Sequence, residues 1–402
     1  MLARSSQNEG RRGSLQLGGL VSFLSLLAMG VVPVRDLPGQ AHQELHASEL
    51  FRIDADETDL LPIGRSSSGM LAVSGRGLLA IGQRQDHSVL VFDQNGREIG
   101  RFGRKGDGPG EISNTLSLAW HGDSLLIRTG PLGAGQRYIV LDPSLAFQRD
   151  WPLPRSLVTP ASSGPMLPPI TRAVTPDGDL VLTVQFRDGK LPSWSGMTGS
   201  ATSAVLVTDL QGSLLRVLGA QATGDCHVER PDGGRFPIPM CIDPPFAVAA
   251  DGSTAIFSDL GDVDEQRSTV TVWSISSTGT ERYRREFEVD RMAIPRDQLR
   301  QERDLLTSGN PALKSLVPDR ILPQWYPPIR EIVLGVDGSS ALRLGSDDTQ
   351  HVWLILKPDG DPLGEISFPL NVTLRAILGD SVWATEQDSD GFEDVVRYAL
   401  RP

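Results

Sequence analysis

One pattern constrains this chain more than any other: short β-rich runs that return on themselves through two alternating kinds of turn. Arg172-Ala-Val174, a tight Thr-Pro-Asp177-Gly178 turn and Asp179-Leu-Val-Leu-Thr-Val184 form one such pair. Phe246–Phe257 around Asp251-Gly252, Ile332–Leu344 around Asp337-Gly338 and Ala376–Trp383 around Gly379-Asp380 repeat it. A second turn follows in each unit, as in Val91-Phe-Asp-Gln-Asn-Gly96, Val207-Thr-Asp-Leu-Gln-Gly212 and Leu356-Lys-Pro-Asp-Gly360. Alternating apolar residues flank these turns, which is the signature of antiparallel hairpins. Each unit is thus strand, tight turn, strand, longer loop, strand, tight turn, strand. The 42 Gly and 29 Pro spread through 402 residues supply the many turns this requires.

Four-stranded units in series close most readily into a radial ring, which protects sheet edges without a second layer. The expected fold class is therefore all-β: a six-bladed β-propeller with blades at about 68–102, 115–152, 170–218, 246–288, 329–368 and 373–400. The last blade has only three strands of its own. Residues 49–54 from the beginning of the ordered chain are expected to complete it and close the ring. A sandwich or barrel would not need the recurring pair of turns. Between blades 4 and 5, Arg296–Leu306 follows Pro295 and is rich in helix formers, so a helical insertion is expected there, followed by a loop to Pro318.

The first 41 residues have a different character. Arg4, Arg11 and Arg12 precede a largely apolar stretch from Leu15 to Val34, and Gly39 and Ala41 are small residues after Pro38. This reads as a secretory signal cleaved after Ala41, a single membrane anchor being the alternative. Its removal would take four Arg (4, 11, 12 and 35) and two acids (Glu9 and Asp36) from a chain of formal charge −12, leaving −14. The expected location is periplasmic or extracellular, with no membrane span in the mature chain. Two cysteines, Cys226 and Cys241, share one segment, and in an exported chain they read as a disulfide closing a local loop. A reactive or metal-binding pair is the other reading, but it lacks the C-x-x-C spacing of metal sites. Acidity argues against nucleic acid as a partner, because phosphate counterions are displaced by concentrated Lys and Arg. A monomer is expected.

Phe102-Gly-Arg-Lys-Gly-Asp-Gly-Pro-Gly-Glu111, coming after Val91-Phe-Asp-x-x-Gly96, resembles the bacterial exported six-bladed β-propeller family related to NHL-repeat proteins. The run from Ile294-Pro-Arg-Asp297 through Trp353 to Val395-Val-Arg-Tyr398 fits the same resemblance, which covers the mature chain. It implies a fold, while similar propellers host ligand binders, lactonases and lyases.

Long excursions fall only between units, at Gly103–Asn114, Leu153–Pro169, Gly219–Pro245 and Val289–Pro328, so one face of the ring carries them all. Binding residues favour such loops on a rigid scaffold. Three innermost strands begin with an arginine, Arg172, Arg330 and Arg375, at the same parity, which points all three at the axial channel. In the glycine-rich crossover, Arg104 and Lys105 adjoin backbone N–H groups able to form an anion nest. These five residues are the candidate anion contacts; salt bridges between blades, and a purely structural crossover with Glu111 satisfying turn amides, are the competing roles. Trp325 and Tyr326 are candidates for stacking on a ligand or packing beneath the insertion. The leading expectation is a binding or interaction module with an unidentified small-molecule or protein ligand and no cofactor. The alternative is a metal-assisted, lactonase-like hydrolase or lyase, for which the inner-strand starts offer Arg rather than metal-ligating acids.

Overall fold

A computed structural model describes residues 34–35, 43–58, 60, 62–63, 69–131, 135–153, 169–186, 201–222, 226–230, 235–263, 266–308, 310–346 and 349–402. The expected signal segment lies outside these residues except for Val34 and Arg35, and so does most of the Leu153–Pro169 crossover. Two strands precede the ring proper, β1 (Val34–Arg35) and β2 (His46–Ile53). Blade 1 is β3 (Leu71–Val73), β4 (Leu79–Gln83), β5 (Ser88–Phe92) and β6 (Glu98–Phe102). Blade 2 is β7 (Thr115–His121), β8 (Ser124–Thr129), β9 (Arg137–Leu141) and β10 (Phe147–Pro152). Blade 3 is β11 (Ile170–Val174), β12 (Leu180–Gln185), β13 (Ala201–Thr208) and β14 (Leu214–Ala222).

A hairpin, β15 (His227–Glu229) with β16 (Arg235–Pro237), interrupts the passage to blade 4. That blade is β17 (Phe246–Val248), β18 (Thr254–Val263), β19 (Arg267–Ser276) and β20 (Glu281–Asp290), with β1 added in parallel along its outer edge. Blade 5 is β21 (Glu331–Leu334), β22 (Ser340–Ser346), β23 (Gln350–Leu356) and β24 (Pro362–Pro369). In blade 6, β25 (Val372–Leu378), β26 (Ser381–Gln387) and β27 (Glu393–Arg401) are joined by β2 at the outer edge, with Ile53 opposite Val395 and Glu49 opposite Tyr398.

The sheets meet face to face around the ring, and each contact is a separate apolar cluster. Ala72, Val89 and Val91 of blade 1 pack on Leu118, Trp120 and Ile127 of blade 2. Tyr138 and Leu126 of blade 2 meet Val174 and Leu182 of blade 3, and Val205 and Leu218 of blade 3 meet Phe257 of blade 4. Blades 4 and 5 join through Val272, Phe287, Leu342 and Leu354, and blades 5 and 6 through Trp353, Ile366, Leu374 and Val382. The sixth cluster brings Ile53, Trp383 and Val395 of blade 6 against Leu79, Ile81 and Phe92 of blade 1, so the ring is closed. Central strands therefore bury both faces: β4 and β5 are buried at every position, while outer β6 is largely exposed. That explains why the middle strands read as continuous apolar runs and the fourth strands as charged ones.

The second-turn signature has a local cause. Asp93 Oδ1 accepts from the N–H groups of Asn95 (2.8 Å) and Arg97 (3.0 Å), and Asp142 and Asp209 repeat this geometry in blades 2 and 3. Gly96 completes the turn at φ +78°, where a Cβ would also lie 2.6 Å from the Phe51 ring of β2.

The excursion after blade 4 holds a helix over Arg296–Leu306 and a second, short helix over Pro311–Leu316 where the sequence reads as a loop. Asn310 caps the latter by accepting from Ala312 N–H at 3.0 Å, with Pro311 preset for the first turn. The excursion is anchored inward through buried Val317, which packs with Phe236 and Ile238 of the hairpin segment, so two insertions form one cap on the long-loop face.

If β2 closes the ring by packing rather than by edge pairing alone, its buried end carries the energy. Ile53 is 2% exposed and Leu50 of the same strand 49%. Ile53→Ala should cost about 2–4 kcal/mol in urea unfolding and Leu50→Ala less than about 0.5 kcal/mol.

Candidate functional site

The inner strands line an axial cavity of about 570 Å³. Arg172 and Arg375 both project into it by the same device. In β11, Thr171 pairs with Leu182 and Ala173 with Val181, leaving Arg172 as an extra, bulged residue. In β25, Leu374 pairs with Ala384 and Ala376 with Trp383, leaving Arg375 in the same position. A bulge re-aims one side chain while the strand continues. Each arginine then donates its Nε to a threonine of the neighbouring second strand, Arg172 to Thr183 Oγ1 (2.9 Å) and Arg375 to Thr385 Oγ1 (3.0 Å). Blades 3 and 6 stand three places apart in a ring of six, so the two bulges face each other across the axis.

Two further arginines reach the cavity from second strands. Arg128 lies on β8 opposite Ser117 and hydrogen-bonds the Thr171 carbonyl of blade 3, bridging two blades. Arg84 follows β4 and donates Nε to the Thr115 carbonyl at 3.3 Å. Among the described residues the cavity wall thus carries Arg84, Arg128, Arg172 and Arg375 against two carboxylates, Asp243 and Glu331. Glu331 already pairs with Arg343 at 3.2 Å. Among the described residues, Arg84, Arg128 and Arg172 have no carboxylate partner; their hydrogen bonds go to neutral oxygens.

The energetic consequence is visible in their acidities. Burial holds the Arg128 guanidinium below its usual pKa, with the nearby Tyr138 acting weakly in the opposite direction. Burial likewise lowers Arg172, and the positive charge of Arg128 adds to the effect. Arg172 is exposed, but towards the cavity it lines. Two cations sit side by side in a partly desolvated wall, the environment that a bound anion relieves.

The other candidates lie elsewhere. Arg330 is half-buried with its guanidinium 4.7 Å from the centre of the Tyr326 ring, and burial together with Arg343 holds its pKa down. Arg104 and Lys105 are exposed at the rim and are not part of the cavity wall. In the glycine-rich crossover, Glu111 accepts from Gly108 N–H at 2.9 Å and pairs with Arg104 at 2.8 Å, so the chain's own carboxylate occupies the nest. Arg137 clamps the same loop through the Gly108 and Glu111 carbonyls. Arg84 and Arg128 escaped the sequence reading because it considered only the first strand of each unit. An arginine at the far end of the second strand was the available signal. Among the described residues no three His, Cys, Asp or Glu side chains converge as a metal-binding set. Cys226 and Cys241 form a disulfide, which removes the reactive or metal-binding reading of that pair.

No protein-family model matches the chain, and no curated protein does. Solved structures do. A member of the DUF4221 family from Bacteroides vulgatus aligns over 90% of this chain and 99% of its own, at 11% identity and a TM-score of 0.41. A Bacteroides fragilis protein provisionally described as exported covers 92% and 98%, at 10% identity and 0.38. A catalytically inactive virginiamycin B lyase from Staphylococcus aureus, solved with quinupristin, covers 89% and 100%, at 11% identity and 0.37. At such identities no chemistry passes from those proteins to this chain, and the architecture rests on its own strand pairing.

The cavity wall also predicts an alkaline liability. Tyr138 pairs across the sheet with Arg128, is fully buried and has an Oη with no hydrogen-bond partner among the described residues. Burial pushes its phenol up to about 12 from an ordinary 10.0. Between those values the unfolded chain loses the proton and the folded chain keeps it, so stability falls as pH rises through that window. Tyr138→Phe should leave the thermal midpoint at pH 7 nearly unchanged and flatten its decline above about pH 10, read by melting curves across pH.

Proposed function

We propose that this protein is an exported six-bladed propeller, closed by its N-terminal strand and capped by the helical insertion after blade 4, that binds a small anionic ligand at the long-loop mouth of its axis. Export follows from the basic and apolar character of residues 1–41, with cleavage after Ala41 and a periplasmic or extracellular destination. The internal disulfide accords with an oxidising compartment.

The observation that carries the reading is the Arg128–Arg172 pair, held together in a concave wall where neither makes an ion pair with a described carboxylate. A pair retained only for structure would be expected to meet acids, which this acidic chain has in excess: 50 Asp and Glu against 38 Lys and Arg. Arg172 and Arg375 are the facing anion contacts, with Arg128 and Arg84 completing the cationic wall. The residues present suit recognition of carboxylate or phosphate oxygen, since guanidinium groups offer paired donors in a fixed plane.

Calorimetric titration of malonate and of inorganic phosphate into the purified chain tests this. Arg172→Gln should weaken the tighter of the two by about tenfold to a hundredfold, the worth of one charged hydrogen-bonding contact. Arg104→Gln, at the rim with its own partner, should leave binding unchanged. Equal affinity in Arg172→Gln and the parent would remove the axial mouth as the site.

A further inference from the structure

A second cavity, about 460 Å³, opens on the same face between blades 4 and 5, beneath the cap. Its size lies within the range of small-molecule sites, and its character is opposite to that of the axial mouth. The Cys226–Cys241 disulfide, Leu260, Val270 and Trp325 form an apolar lining. Cations hold the aromatic walls in place, and one of them, Arg291, itself lines the cleft. Arg291 lies 4.4 Å from the centre of the Trp325 ring and Arg330 4.7 Å from that of Tyr326, while Tyr326 Oη donates to Gln298 Oε1 at 2.7 Å. A cleft with pre-set aromatic planes loses little entropy when it takes a flat ligand.

The two cavities are not independent. Ile242 and Pro245 belong to the walls of both, so a saddle of two apolar residues separates the cationic mouth from the aromatic cleft. Ile242 is exposed at 39% and Leu260 at 46%, apolar surface that water alone does not favour. Resting on the anion-binding reading above, we propose that the ligand is an amphipathic carboxylate: its charged head meets Arg172 and Arg128, and its aromatic body crosses the saddle into the Trp325 cleft. A doubly charged or wholly polar anion would leave the cleft unused, and a neutral aromatic would leave the arginines uncompensated.

Three probes separate head from body: 2-naphthoate, its neutral isostere 2-naphthamide, and propionate, which carries the carboxylate with almost no apolar body. Each is titrated into the full chain by ligand-observed NMR and Trp fluorescence, with malonate as an independent report on the axial mouth. The expected result is that 2-naphthoate binds tighter than propionate by about tenfold or more. The double substitution Leu260→Ser/Trp325→Ala, at two positions that line the aromatic cleft and not the axial mouth, should erase that advantage while malonate binding stays as in the parent, and Arg172→Gln should weaken 2-naphthoate and malonate together. Equal affinity for 2-naphthoate and propionate, or an advantage that survives the double substitution, would overturn the amphipathic ligand and leave the anion site standing if malonate still binds. Binding of 2-naphthamide as tight as 2-naphthoate, with no binding of malonate, would overturn the anion site and this inference with it.

Discussion

Every feature of this protein depends on sheets that are apolar on both faces and have no second layer to cover them. A four-stranded sheet such as blade 1, with β4 and β5 buried at every position, cannot stand alone in water. It is satisfied only by a neighbour on each side, and right-handed strand twist makes a series of such neighbours curve around an axis. The six apolar clusters are six copies of one contact, and the sixth, joining Ile53 and Trp383 to Leu79 and Phe92, makes the array finite. Removing that contact would expose a complete sheet face at each end. The burden of closure therefore falls on a strand contributed from outside the blade's own run of sequence.

That closure also makes the axial site possible. Inner strands converge on the axis, so residues from different blades come together although they are far apart in sequence. Arg128 and Thr171 are joined by a hydrogen bond across 43 positions. Bringing like charges together is unfavourable, and a compliant scaffold would let the side chains swing apart. Here they are restrained by bulges that fix where Arg172 and Arg375 leave the backbone, by the threonines that accept from the Nε of each, and by the Thr171 carbonyl that holds the Arg128 guanidinium through Nη1. The folding energy of the ring thus sustains a local electrostatic strain, as functional sites commonly require.

The repeat was legible because its turns are chemically local. Asp93, Asp142 and Asp209 each hold two amides within five residues, so the same spacing recurs wherever the same turn is built. The site was legible only in part, for reasons of register. Blade 3 turns between β11 and β12 through a closed loop from Thr175 to Asp179, whereas blade 2 turns through two residues between His121 and Ser124. A change in turn length shifts which residue of the second strand looks towards the axis. Arg128 occupies a rung that Thr183 fills in blade 3, and no count along the first strands could find it. Arg330 illustrates a different blindness. Its surroundings are set by Tyr326, delivered by an insertion whose path no strand periodicity encodes.

A cationic mouth in a protein of formal charge −12 raises the question of which field a ligand obeys. Most of the acids are surface groups in high dielectric, and at 0.1 M salt their influence fades over about 10 Å. The arginines of the axial wall are partly desolvated in a concave cavity, where attraction is screened less and field lines are concentrated. The two fields consequently respond differently to ionic strength. Added salt weakens the long-range repulsion that slows an approaching anion before it weakens the short-range attraction that retains it. An acidic exterior then serves as a filter rather than an obstacle: highly charged anions are repelled most at a distance, and a singly charged ligand with an apolar body is repelled least. That acidic surface would favour the ligand class proposed for the saddle between the two cavities.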